Sequence, residues 1–161
     1  MRSVAVAVAA LSILATAVED TPGYAGVENL CEFDVYTWYV GGNSSEMKVN
    51  PAKAGYVGER YMVDPESGGR VIKMTTEKDG LFNASPQVNV AYTLDGSQVW
   101  YDVSEIFGSP FEGHELSLIN DDENCGSKEW KDGVISGENN VDVCSSTSSF
   151  TLRLCTENLN E

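Results

Sequence analysis

Residues 88–104 read VNVAYTLDGSQVWYDVS, and they carry the clearest indication of the fold class. In its first half, large apolar residues alternate with polar or small ones, so that one face can be buried while the other meets water. The pair Asp95-Gly96 then interrupts the alternation, and a second strand-like run follows. Asp-Gly between two such runs is a strong signal for a hairpin with a two-residue loop. The stretch therefore predicts two antiparallel paired strands.

The same period of two recurs along most of the chain. Further segments predicted as strands on this basis are Leu116–Leu118, Val141–Val143 and Phe150–Cys155, and Cys31–Val40 is predicted as a strand from its aromatic and β-branched residues. In each alternating run the apolar residues are expected to be buried, the two valines of Val141–Val143 included. Gly-, Pro-, Asn- and Asp-rich turn signals separate the runs, and no sustained helical stripe follows the first seventeen residues. The pattern predicts an all-β, antiparallel sandwich or barrel.

The N-terminus has the features of a secretory signal peptide. Residues 1–17 contain one charge, Arg2, then an apolar run, and end in the small-x-small pattern Ala15-Thr16-Ala17. Cleavage there would leave a polar leader, residues 18–25, and one domain over residues 26–161. No later apolar run approaches membrane length, so no membrane association is expected after cleavage.

The chain is strongly acidic, with 25 Asp and Glu residues against 10 Lys and Arg and a formal net charge of −15. Loss of the signal peptide would remove the positive charge of Arg2 and make the net charge one unit more negative. Such a protein repels nucleic acid and anionic lipid, whose phosphates require basic patches. We therefore expect a partner that is neutral or cationic, and the sequence suggests no cofactor.

Four cysteines, Cys31, Cys125, Cys144 and Cys155, are present. An even number in an exported chain predicts disulfides, and three pairings are possible. A zinc site is disfavoured because no two cysteines form a C-x-x-C pair and His114 is the single histidine. No metal site is therefore predicted from these residues.

Two sequons and one acidic run are predicted to lie in exposed loops. The sequons at Asn43 and Asn83 predict N-glycosylation in exposed loops, although Pro86 directly after the second weakens it. The acidic run Asp121–Asn124 is interpreted as a solvated loop. Loose calcium binding is the alternative, but Cys125 occupies a middle ligand position there.

Several segments together resemble thaumatin-like proteins. They are Val27–Trp38, Gly68–Thr75, Ala91–Ser104 and Phe150–Cys155, while Gly108–His114, Asn124–Gly126 and Trp130 are similar to the small fungal antigenic type, the Blastomyces yeast-phase-specific group. The resemblance implies a β-sandwich secreted by a fungal cell. It also implies a disulfide Cys31–Cys155 between the two terminal strands and a second, Cys125–Cys144, that closes a local loop. A monomer is expected.

Larger thaumatin-like proteins have an acidic cleft linked to β-1,3-glucan binding and, in some, to weak hydrolysis. By resemblance, one aspartate of that cleft matches Asp102. The glutamate falls on Ala91, a second aspartate on Val99, and the arginine on Met74, with Lys73 on the opposite face of the strand. Most of the charged set is therefore missing here.

Asp102 has three possible roles. As a catalytic acid or nucleophile it would need a second carboxyl, for which Glu105 and Glu112 are the candidates. As a turn former it would accept backbone N–H groups at Ser104 or Glu105. As a binding residue it would act together with the neighbouring aromatics Trp100 and Tyr101.

Five aromatic residues are candidates for stacking on sugar rings or, alternatively, for the core: Trp38, Tyr39, Trp100, Tyr101 and Trp130. Because side chains alternate along a strand, Trp100 and Tyr101 lie on opposite faces. One of that pair is therefore expected at the surface.

The sequence favours a secreted, non-enzymatic thaumatin-like protein that acts at the cell wall or the host interface. It would bind β-glucan or another neutral wall polysaccharide, or act as an antigen or effector. One alternative is a weak endo-β-1,3-glucanase that uses Asp102. Another is an inhibitor or binder of a secreted host protein, since one fold hosts several functions.

Overall fold

The computed structural model describes residues 21–136 and 140–160, so the predicted signal peptide lies outside the described residues. Within these ranges it contains eleven strands and a short 3-10 helix, Thr156–Asn160. The strands are β1 (Tyr24–Asn29), β2 (Val35–Val40), β3 (Lys48–Asn50), β4 (Gly55–Arg60), β5 (Arg70–Thr75), β6 (Gln87–Asp95), β7 (Gln98–Ile106), β8 (Leu116–Asn120), β9 (Lys128–Trp130), β10 (Asp142–Ser145) and β11 (Phe150–Leu154). β1 begins two residues before the predicted domain start. The helix that the structure describes is too short to cross a bilayer.

The strands form two sheets, which confirms the predicted all-β sandwich. The five-stranded sheet has the order β4-β1-β11-β8-β9, and the six-stranded sheet has the order β10-β7-β6-β5-β2-β3. Among the strand pairs described, β1 and β11 run parallel, and the other pairs are antiparallel. The parallel pair brings the first and last strands together in the middle of one sheet.

The β6–β7 hairpin forms as the sequence predicts. Asp95 pairs with Gln98, so the two loop residues are Gly96 and Ser97, one position later than the Asp-Gly pair itself. Gly96 has a φ of 57°, a left-handed conformation that glycine adopts at little cost. The apolar residues of the alternating run, among them Val88, are buried between the sheets.

Aromatic rings join the two sheets in the core. Tyr61 packs 5.2 Å from Tyr92 of the six-stranded sheet and 5.7 Å from Phe150 of the five-stranded sheet. Tyr101 lies 4.6 Å from Phe150, measured between ring centroids. These offset and tilted contacts are the arrangements that aromatic pairs prefer, so they stabilise the sheet packing.

Both disulfides have the pairing that the family resemblance implied. Cys31 and Cys155 follow the C-terminal ends of β1 and β11, with their Cα atoms 5.0 Å apart. Parallel strands end on the same side of a sheet, so the two cysteines meet there. Cys125 and Cys144, with Cα atoms 5.8 Å apart, tie β10 to the loop before β9.

The prediction that Val141 and Val143 are buried is wrong. They are 55% and 41% exposed, whereas Cys144 is buried. The disulfide holds Cys144 toward the interior, and because neighbouring side chains in a strand point to opposite faces, Val143 must then face solvent. Asp142 faces the interior side as well and forms an ion pair of 2.8 Å with Lys128.

A polar group, here termed the cross-sheet cluster, closes one open edge of the sandwich. It consists of Glu59 on β4, Arg70 on β5, Tyr92 on β6 and Asp64 in the β4–β5 connection. The Arg70 Nε and Nη2 atoms donate to the two Glu59 carboxylate oxygens at 3.0 and 2.7 Å, and the Tyr92 hydroxyl donates to Glu59 at 2.7 Å. The bond to Glu59 raises the pKa of Arg70. The cluster therefore connects the two sheets by charge-assisted hydrogen bonds.

Candidate functional site

The outer face of the six-stranded sheet carries a shallow depression that crosses several strands. Its floor is a row of paired residues, Val40, Val71, Ala91 and Asp102, which continues to Val141 beside β7. Two hollows of about 310 and 150 Å³ lie along this row and share residues of β6. We call this row and its walls the outer trough. At strand spacings of about 4.8 Å it is roughly 19 Å long.

The walls of the outer trough have different chemistry. On one side Trp100 pairs with Thr93, and the indole is 44% exposed. On the other side Lys73, Asn89 and Ser104 stand in register on neighbouring strands. The Lys73 ammonium lies 3.4 Å from the Asn89 amide oxygen, and partial burial lowers the pKa of this lysine. The exposed Trp100 ring and the polar row that contains Lys73 thus lie on opposite sides of a central row of aliphatic residues and Asp102.

Asp102 lies in the middle of β7, directly opposite Ala91. The interpretation of Asp102 as a turn former is therefore wrong, because β7 continues through Ser104 and Glu105 to Ile106 and leaves no turn there to cap. Within residues 21–136 and 140–160 the Asp102 carboxylate has no hydrogen-bond or ion-pair partner. Its charge is available to a ligand in the trough.

The candidate second carboxyls do not share the face of Asp102. Glu105 is three residues further along β7 and therefore points to the other side of the sheet. One of its carboxylate oxygens accepts hydrogen bonds from the Ser109 hydroxyl at 2.7 Å and from the Ile135 N–H at 3.1 Å. Glu112 is exposed in the turn after β7 and lines neither hollow of the trough.

Trp100 and Tyr101 lie on opposite faces, as the alternation predicted. The structure contradicts Tyr101 as a ligand-binding candidate, because its side chain is 2% exposed and packs on Phe150. Its hydroxyl donates to Asn120 at 3.4 Å, and burial raises its pKa. Trp38, Tyr39 and Trp130 are buried too, which leaves Trp100 as the exposed tryptophan of the described chain.

Sequence reasoning missed Phe82. The long β5–β6 connection folds back over the sheet, and the Phe82 ring packs edge-on against Trp38 at 6.3 Å while remaining largely exposed. Trp38 neighbours Lys73 across β2 and β5, so Phe82 stands near the lysine wall of the trough. A lone phenylalanine in a loop carries no local sequence signal for this position.

The positions that correspond to the larger proteins' acidic cleft separate into two groups. Ala91 lies on the trough floor, where a glutamate would face Asp102. Val99 and Met74 are fully buried in the core. Lys73 lies on the opposite face of β5 from Met74, as the strand alternation predicted, but it is Lys73 and not Met74 that lies on the trough side. Among the described residues, Asp102 lines one hollow of the trough, Arg70 borders the other, and Lys73 lies in the neighbouring row of the same face.

The predicted glycosylation positions lie in surface loops. Asn43 is exposed in the β2–β3 connection, and Asn83 is exposed in the β5–β6 connection. The Asn83 side-chain oxygen accepts hydrogen bonds from the Ser85 N–H at 3.1 Å and the Ser85 hydroxyl at 2.6 Å. Glycosylation at both positions stays a prediction.

The other side chains considered as metal ligands form hydrogen bonds or ion pairs with neighbouring residues. Asp121 accepts the Ser149 N–H at 2.7 Å, and Asp122 accepts the Asn124 N–H at 2.9 Å. His114 Nδ1 lies 2.8 Å from Glu157, which also accepts the Glu115 N–H. Cys155 is near this histidine–glutamate pair, but its sulfur belongs to a disulfide and is not a free ligand.

The fold defines a thaumatin-like β-sandwich, and comparison with solved structures agrees with it. The crystal structure of the protein elicitor MoHrip2 from Magnaporthe oryzae matches with a TM-score of 0.67 and 17% identity over 83% of this chain and 98% of that chain. At this identity the likeness concerns the fold alone.

Sequence comparison is more specific. The family described as Blastomyces yeast-phase-specific protein matches residues 12–156, and the chain therefore belongs to this family of small fungal thaumatin-like proteins. The secreted thaumatin-like protein calA of Emericella nidulans is 30% identical over 82% of this chain and 80% of its own length. The antigenic thaumatin-like protein of Arthroderma benhamiae is 32% identical over 80% of this chain and 66% of its own length.

Proposed function

We propose that the protein is secreted and acts at the fungal wall or the host interface, where it binds a wall polysaccharide without cutting it. One relative is named as secreted and another as antigenic. Two disulfides are typical of proteins that fold in an oxidising, extracellular environment. These features support export.

The observation that carries the binding role is the outer trough. An extended polymer can lie along a row of small residues, and the apolar face of a sugar ring can stack on the exposed indole of Trp100. Asp102 and Ser104 supply the few polar groups that such sites use to orient a ligand. The trough is open at the surface, so that a long polymer chain can lie in it and extend beyond it.

The placement of carboxylates argues against hydrolysis. A glycosidase needs two carboxyls about 5–9 Å apart on either side of the scissile bond. Asp102 faces the trough, while Glu105 points away and is held by Ser109 and Ile135. Binding without cleavage is therefore favoured over an endo-β-1,3-glucanase.

A sedimentation experiment tests this proposal. The oxidised, secreted protein is mixed with insoluble β-1,3-glucan, and both the bound fraction and the reducing ends released are measured. We expect binding without new reducing ends, and weaker binding by Trp100→Ala. Phe107→Ala, which removes an exposed aromatic ring at the end of β7, is the matched control and should bind normally. Release of reducing ends that disappears in Asp102→Asn would instead establish the glucanase.

One observation favours binding to a host protein as a second candidate. Trp100, Val141 and Val143 form an exposed apolar group beside β10, which is an edge strand of its sheet. Edge strands and exposed tryptophans are common elements of protein interfaces. The structural neighbour is named a protein elicitor. This function predicts stable association with an extracellular host protein, lost in Val143→Lys, and no affinity for polysaccharide.

A further inference from the structure

Asp102 is a carboxylate in a largely apolar frame. Ala91 lies opposite it on β6, Val141 lies beside it on the other flank, and Trp100 precedes it by two residues on the same face. Two residues along a strand correspond to about 7 Å, so a ring stacked on Trp100 places its substituents near Asp102. A ligand in the outer trough would cover this charge.

No residue within 21–136 or 140–160 neutralises the charge of Asp102. Lys73 is the described cation on this side of the sheet, and the strand register places its Cα atom two strands away and two residues along, about 12 Å from the Cα atom of Asp102. The Lys73 ammonium lies beside the Asn89 amide oxygen, at 3.4 Å, and forms no ion pair with Asp102. Arg70 on the same strand faces the interior and is bound to Glu59. Within the described residues Asp102 therefore keeps an uncompensated charge.

A neutral sugar would bury this carboxylate against hydroxyl groups alone, at a desolvation cost. An ammonium group would pair with it by a charge-assisted hydrogen bond and would also lie close enough to the Trp100 ring for a cation–π interaction. We propose, on the basis of the polysaccharide-binding function above, that the outer trough selects an amine-bearing polymer, partly deacetylated β-linked N-acetylglucosamine, over neutral β-glucan.

The Lys73 side of the trough favours a polymer that is only partly deacetylated. An ammonium placed beside Lys73 would be repelled, whereas an acetamide carbonyl can accept a hydrogen bond from the Lys73 ammonium. The Ser104 hydroxyl lies in the same row as a further hydrogen-bonding group, while the buried Asn89 amide positions the Lys73 ammonium. The trough thus places a free amine at Asp102 and an acetylated unit near Lys73.

The experiment uses intrinsic fluorescence, since Trp100 is the exposed tryptophan of the described residues. The oxidised protein is titrated at mildly acidic pH with oligomers of equal length: partly acetylated glucosamine, fully acetylated N-acetylglucosamine, fully deacetylated glucosamine, β-1,3-glucose and lysine. We expect Asp102→Asn to weaken binding of the partly acetylated oligomer about tenfold or more, the range of a hydrogen bond to a charged group. Binding of the neutral oligomers should change less than about twofold. Lys73→Met should strengthen binding of the fully deacetylated oligomer.

The matched control is Glu129→Gln, which removes one carboxylate from an exposed position on β9 in the other sheet. An acidic protein attracts any polycation, and this control measures that general effect. Equal weakening by Glu129→Gln and Asp102→Asn would overturn the inference, and so would equal affinity for oligolysine, which would point to a basic peptide. If neutral oligomers bind and Asp102→Asn has no effect, the inference fails while the proposed function stands. If no oligosaccharide binds, both fail.

Discussion

We predict that the cross-sheet cluster contributes substantially to the stability of the fold. Arg70 contacts Glu59 through two hydrogen bonds and lies 3.5 Å from an Asp64 carboxylate oxygen. The side chains of Arg70, Glu59 and Asp64 are only 16%, 12% and 10% exposed. Arg70→Met keeps an unbranched apolar stem but leaves the Glu59 carboxylate without its cation. We therefore expect a large loss of stability.

Removal of one partner from a buried ion pair typically costs about 3–5 kcal/mol. Because the Tyr92 hydroxyl still donates to Glu59 and some solvent reaches the cluster, we expect a value near the lower limit, about 3 kcal/mol. For a domain of this size that corresponds to a decrease in Tm of about 10 °C.

Urea unfolding and calorimetry of the oxidised protein measure this change. The double variant Glu59→Gln/Arg70→Met removes both charges and should be more stable than Arg70→Met alone. Arg60→Met is the control, because Arg60 lies on an exposed face over the Tyr24 ring, and its loss should change the free energy of unfolding by about 0.5 kcal/mol or less. A loss of that small size for Arg70→Met, or no recovery in the double variant, would show that the Arg70–Glu59 pair does not stabilise the sheet packing.

Three further predictions concern stability. Replacement of Cys31 and Cys155 by serine should cost about 5 kcal/mol in urea unfolding, against about 3 for the second disulfide, because the closed loops span 124 and 19 residues. Gly133→Ala should lower the free energy of unfolding by more than about 1 kcal/mol, because Gly133 has a φ of 70° and an added Cβ would collide with the Phe111 carbonyl. An unchanged Tm in this variant would contradict the prediction. Hydrogen bonds, first from the Ser67 N–H, hold the pKa of Asp64 below its ordinary value. A lowered carboxyl pKa stabilises the fold above the unfolded value, about 3.9, and this contribution is lost as the pH falls further, so Asp64→Asn should show a flatter dependence of Tm on pH below about pH 4.

The alternation of side chains allowed much of the core to be predicted. It assigned Val88 and Val90 to the interior and separated Trp100 from Tyr101 correctly. It failed at Val143, because a short apolar–polar–apolar run does not indicate which face is covered. There the Cys125–Cys144 disulfide decides the orientation of β10.

The candidate site was predictable only in part. Sequence reasoning named Asp102, Trp100 and Tyr101 as candidates, and it allowed a turn at Asp102 because Tyr-Asp-Val-Ser is locally compatible with one. The structure extends β7 through this segment because β6 supplies a partner for each residue as far as Ile106. The position of Phe82 over Trp38 depends on how a long loop folds back, which no local pattern indicates.

The periodicity of the strands, the β6–β7 hairpin and the strong acidity were predictable without a structure, because these features depend on neighbouring residues or on composition alone. The tertiary structure decided the strand order, the parallel pairing of β1 with β11 and the cross-sheet cluster. It also placed Lys73 and Asp102 in one trough, although 28 positions separate them in the chain. Alternation gives each strand two faces but does not state which strands become neighbours. That choice depends on hydrogen bonds and packing between residues far apart in the chain.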